Sequence, residues 1–65
     1  MESIGIRIRE RRRALNMSQE TLAKKSGICR AIISMLENGR RTDVRVSTLS
    51  SIAKALDADV NIFFA

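Results

Sequence analysis

The chain has 65 residues, 45% hydrophobic and 29% charged, with no Pro, His, Trp or Tyr, which suits a folded helical domain better than a disordered segment or a strand-rich sandwich. Twelve Lys and Arg against seven Asp and Glu leave a net charge of +5, which suggests a polyanionic partner. A lone cysteine without any histidine supports neither an internal disulfide nor a zinc site, and no apolar run approaches the roughly 18 residues of a membrane span, so a reduced, cytoplasmic setting with no membrane partner is expected.

The first helix is expected from about Glu2 to Ala14, with Ile4, Ile8 and Leu15 on one stripe and Arg7, Arg9, Glu10, Arg11 and Arg13 around the rest. Asn16 follows where a left-handed residue commonly stops a helix. Ser18 is then the N-cap candidate for a second helix, Gln19 to Lys25, which turns Leu22 and Ala23 inward and ends at Gly27, a residue suited to a sharp corner. A third helix from about Arg30 to Glu37 closes at Asn38 and Gly39. Two short helices about a glycine-containing turn are the skeleton of a helix-turn-helix.

Residues Arg40 to Arg45 are polar and unperiodic, hence a loop, and Leu49, Ile52, Ala53 and Leu56 give a fourth helix, about Ser47 to Leu56, its inner side. The tail has two readings. Val60, Ile62 and Phe64 alternate as in a strand, the reading favoured by the β-branched and aromatic content, while Asp59 could instead cap one last helical turn. A strand would need a second copy or another protein to pair with. Val60, Ile62, Phe63 and Phe64 are therefore the expected dimer interface. The whole is expected to be one all-α domain spanning 1–65, a compact four- to five-helix bundle with the tail at a dimer contact.

At about 100° per residue, Ile32, Ile33 and Leu36 share one side of the third helix, and Arg30, Ala31, Ser34 and Asn38 the other, with Met35 at the border. The outer set is either an ordinary solvated face or one that enters a DNA major groove. In the second case Arg30 could read a guanine edge, Ser34 a donor or acceptor edge, and Ala31 or Met35 a thymine methyl.

The segment "SQETLAKKSGICRAIISMLENG" resembles the helix-turn-helix of the Cro and phage-repressor type, the XRE family, and the similarity runs from Ile4 to about Leu56. Gln19, Ala23, Gly27, Ile28, Ile33, Leu36, Glu37 and Gly39 fill the family's pattern. The resemblance implies that Arg12 pairs with Glu37 as a structural link, and that Arg30, Ala31, Ser34 and Met35 reach bases. It also puts Gln19 and Asn38 at phosphates, with Arg40 and Arg41 along the backbone.

Two residues depart from the family. Cys29 stands among these backbone-facing positions where Ser or Thr usually caps the third helix, and is read as a small half-buried filler rather than a reactive thiol. Arg11 replaces a usual apolar residue, so its stem is expected over the core edge and its head in solvent. The tail carries a weaker resemblance to small antitoxins, with an extended tail, or to restriction–modification controller proteins, whose tails form a fifth helix at the dimer interface.

The functional expectation is a homodimeric regulator of double-stranded DNA, a repressor, with an antitoxin that also binds a toxin protein as the alternative. An enzyme is not expected, nor a cofactor or metal: there is no His, no base beside the thiol, no glycine-rich phosphate loop and no carboxylate pair suited to a cleft.

Overall fold

Helix ends organise this small protein, because each must satisfy backbone groups that no helix can pair internally. A computed structural model describes residues 3–41 and 43–64. Four α-helices follow in order, α1 (Ile4–Ala14), α2 (Gln19–Ser26), α3 (Arg30–Glu37) and α4 (Val46–Ala55), and a 3₁₀ turn, Val60–Phe63, completes the described chain. The boundaries expected from sequence hold to within a residue or two, and Glu2, the expected start of α1, lies outside the described residues.

Ser3, Ser18 and Asp59 cap the starts of α1, α2 and the terminal turn, each accepting a backbone N–H with its side-chain oxygen, from Ile6, Thr21 and Asn61 respectively. Three helices end in the same two-bond motif. Beyond α1, α3 and α4 the chain passes through a residue with positive φ, namely Asn16 (54°), Gly39 (74°) and Asp57 (54°). The next N–H then returns to a carbonyl five residues back: Met17 to Arg12, Arg40 to Met35 and Ala58 to Ala53. Gly27, at φ 75°, makes the corner between α2 and α3.

The core comprises Ile8, Leu22, Ile33, Leu36, Leu49, Ile52, Ala53, Leu56 and Phe63. Leu15, expected on the inner stripe, is 37% exposed because it caps α1 after the stripe has turned away.

The tail corrects the strand reading. No strand is present among the described residues, and Val60–Phe63 coils because Asp59 caps it and because a helical turn carries Phe63 back into the core, where it is 3% exposed. Phe63 is thereby withdrawn from the expected dimer interface, whereas Phe64 remains 59% exposed and Val60 and Ile62 are half-buried.

A buried ion pair joins α1 to α3. Arg12 donates from Nε and one terminal nitrogen to the two Glu37 carboxylate oxygens, both at 2.8 Å, and from its other terminal nitrogen to the Met17 carbonyl, also at 2.8 Å. Arg12 is 9% and Glu37 4% exposed. Hydrogen bonding to Glu37 pushes the Arg12 pKa above its ordinary value, burial works against the shift, and the Glu37 charge adds to it. The stability contributed by this upward shift is therefore fully present below the unfolded arginine's pKa and is lost as pH rises through the raised one. Nearer the start of α1, the two backbones come so close that a Cβ on Gly5 would overlap the Leu36 carbonyl.

Gly27→Ala meets no neighbour within 4 Å, so it is expected to lose only the left-handed strain, about 1–2 kcal/mol. Gly5→Ala must move a backbone and is expected to lose more, about 3 kcal/mol, although Ala is the better helix former. Urea unfolding of the two variants decides, and equal losses would show that α1 slides freely on α3. For the ion pair, Arg12→Ala or Glu37→Ala alone should cost about 3–5 kcal/mol, and Arg12→Met with Glu37→Leu should recover most of it, since the penalty arises from one charge left buried without its partner.

Candidate nucleic-acid interface

Helix α3 separates its two sides clearly. Ile33, Leu36 and Glu37 are buried, while Arg30, Ala31 and Asn38 are exposed and Ser34 and Met35 half-buried. The α2–α3 packing and the Arg12–Glu37 pair hold the inner side, leaving Arg30, Ala31, Ser34 and Met35 on the outer one. Asn38 closes the helix, and its side-chain amide donates to Ser34 Oγ at 3.4 Å, a bond within the same outer face.

The residues expected at the DNA backbone divide into two groups. Arg40 and Arg41 are exposed, and their N–H groups both donate to the Met35 carbonyl, at 2.9 and 3.3 Å, so the exit from α3 keeps these arginines beside the outer face. Gln19 is half-buried at the start of α2, and its amide donates to Glu37 Oε1 at 3.3 Å. It thus braces the ion pair from a second helix.

Cys29 is exposed, which corrects the half-buried filler reading. It occupies the N-cap of α3 with extended backbone and no side-chain cap bond. The start of α3 thus has no side-chain cap, in keeping with the weakness of a thiol as an acceptor.

An open groove beside Cys29 is lined also by Ile28, Ile32, Arg41, Arg45 and Thr48. Sequence reasoning left Arg45 in the loop without a role. It is the exposed N-cap residue of α4 and lines the same groove as Arg41, with Asp43 between them in sequence also on its wall. The only signal for it was its place directly before the fourth helix.

The arginines of α1 were harder to place from sequence. Arg7 donates to the Ile62 carbonyl at 3.0 Å, and Arg11 donates from Nε to the Leu56 carbonyl at 3.2 Å and from a terminal nitrogen to the Asp57 carbonyl at 3.4 Å. The Arg11 head thus binds a helix end instead of solvent. Arg13 is exposed and Arg9 half-buried.

Among the described residues there is no group of three His, Cys, Asp or Glu side chains placed to hold a metal ion, and no helix is long and apolar enough to cross a membrane.

The helix-turn-helix family profile matches residues 8–63. A Rhodospirillum rubrum protein described as an uncharacterized transcriptional regulator in the ATPase CF(0) region is 42% identical over 62 residues, covering 95% of this chain and 56% of that protein. The Bacillus subtilis protein RghRB, described as an uncharacterized HTH-type transcriptional regulator, is 39% identical over 56 residues, covering 86% of this chain and 40% of that one. This chain therefore spans about half the length of these curated relatives. The crystal structure of the restriction-modification controller protein C.AhdI from Aeromonas hydrophila superposes with a TM-score of 0.88 at 39% identity, covering 94% of this chain and 91% of that one. Profile, relatives and solved fold agree, and the chain belongs to the XRE-type helix-turn-helix family of DNA-binding domains.

Proposed function

We propose that this protein is a sequence-specific transcriptional regulator, a repressor, that binds a two-fold operator as a cytoplasmic homodimer. The observation that carries this reading is the outer face of α3, which has no large apolar side chain to bury apart from half-buried Met35 and is held outward by the ion pair on its other side. With α3 in the major groove, Arg30 pairs with a guanine edge through two hydrogen bonds, Ser34 meets a polar edge, and Ala31 and Met35 contact thymine methyls. Arg40, Arg41 and Asn38, with the Gln19 and Cys29 positions at the two helix starts, follow the phosphates and set the register. Repression follows from occupying the site that polymerase needs.

The dimer reading rests on the tail. Phe64 is 59% exposed beside half-buried Val60 and Ile62, and a domain this small gains by covering them with a second copy. A two-fold dimer places its recognition helices about one turn of DNA apart, which accounts for a two-fold operator. The helical turn accords with the controller-type tail and with the likeness to C.AhdI, and the antitoxin alternative loses the extended tail that suggested it. Two relatives described as transcriptional regulators support the regulatory role.

Selection from random duplexes should return an inverted repeat. Arg30→Ala should weaken binding to that site by about 1–3 kcal/mol and relax preference at one base position per half-site, whereas unchanged preference would remove Arg30 from the base readers. Arg41→Ala should weaken all sequences alike, and lower the slope of log affinity against log salt by about 0.9 for each protomer.

A further inference from the structure

Two arginines of α1, Arg7 and Arg11, bind the last part of the protein's own chain. Arg7 and Arg11, both half-buried, direct three guanidinium N–H groups at three carbonyls, those of Ile62, Leu56 and Asp57. Two of these follow the end of α4, where the helix dipole is negative and a cation is favoured. The third lies within the terminal turn. That turn has four residues, one side-chain cap from Asp59 and one buried anchor, Phe63, so its own bonds are few for holding a fixed pose.

We infer that Arg7 and Arg11 are positioning residues for the dimer contact, a latch from α1 that fixes the terminal turn so that Phe64 is presented to a second copy of the chain. This inference rests on the homodimer proposed above. It also accounts for Arg11 at a place that is usually apolar: an aliphatic side chain could cover the core edge but could not bridge two successive carbonyls. Arg7 lies one turn earlier on the same side of α1, and its charge is committed to a carbonyl instead of a phosphate.

The test uses the whole chain and compares dimer dissociation by sedimentation equilibrium with affinity for a duplex carrying one half-site at several salt concentrations. Arg7→Ala should weaken the dimer about tenfold or more while leaving half-site affinity and its salt slope unchanged, and Arg7→Lys should restore part of the loss. Because the latch acts through Phe64, adding Arg7→Ala to Phe64→Ala should weaken the dimer no further than Phe64→Ala alone.

Additive losses, an unchanged dimer, or a half-site salt slope lowered by about 0.9 would overturn the latch, the last by making Arg7 a phosphate contact. Should Arg7→Ala fail to fold, Arg7→Lys and Arg11→Leu replace it, both expected to weaken the dimer, and unchanged dimerisation in both overturns the inference. A wild-type protein that stays monomeric removes the homodimer reading and the latch together. A wild-type dimer that Arg7→Ala leaves intact removes the latch alone.

Discussion

The Arg12–Glu37 pair is the constraint on which the rest of the structure depends. Removing two charges from water is expensive, and such a pair persists only where geometry and further hydrogen bonds compensate. Here the arginine uses three nitrogens and the carboxylate both oxygens, with the Gln19 amide as an additional donor. The participants come from α1, the α1–α2 turn, the first residue of α2 and the last residue of α3. Helices α1, α2 and α3 therefore meet at one node, and a displacement of any of them would break a charged bond. An apolar contact at this place could hold the helices together equally well, but would tolerate sliding and rotation that directed hydrogen bonds do not.

The same economy governs the other arginines. Among the described residues, Arg7, Arg11 and Arg12 donate to groups of the chain itself, and Lys24 pairs with Glu20 at the surface. The net charge thus overstates the part of the surface open to a polyanion. What remains near the recognition helix is the exposed set Arg30, Arg40, Arg41 and Arg45, all following the α2–α3 corner in sequence. Charge counted along the chain points to the class of partner, whereas the ledger of hydrogen bonds shows which cations are available to it.

Much of this was legible in the sequence where local chemistry alone decides. Ser18, Asn16, Gly27 and the Asn38–Gly39 pair set helix ends within a few residues of themselves, and the apolar spacing of α3 put its faces in the right phase. The tail was not legible, because the alternation of Val60, Ile62 and Phe64 is a pattern over five residues, and the outcome was set by the burial of Phe63 in a core to which α1 and α4 contribute. Asp57 at positive φ was missed because Asp adopts that conformation less readily than Asn or Gly. Arg7 and Arg11 were missed for a different reason. Their partners are main-chain carbonyls, which every residue carries and no sequence pattern marks.

Helix α1 then emerges as more than a buttress. At about 100° per residue, Gly5 and Arg12 fall within about 20° of one another, Ile8 lies next to them, and Arg7 and Arg11 follow on the side beyond it. One side of the helix therefore grips α3 by close backbone approach and the ion pair, while the adjoining side grips the α4 exit and the terminal turn. Glu10 and Arg13 are exposed on the remaining surface. In the proposed dimer α1 thus makes directed contacts both to α3 and to the terminal turn. Its regular hydrogen-bonded geometry converts the angle at which two tails meet into the separation and tilt of two recognition helices. In that proposed arrangement, operator spacing depends on α1 as well as on the tails that meet.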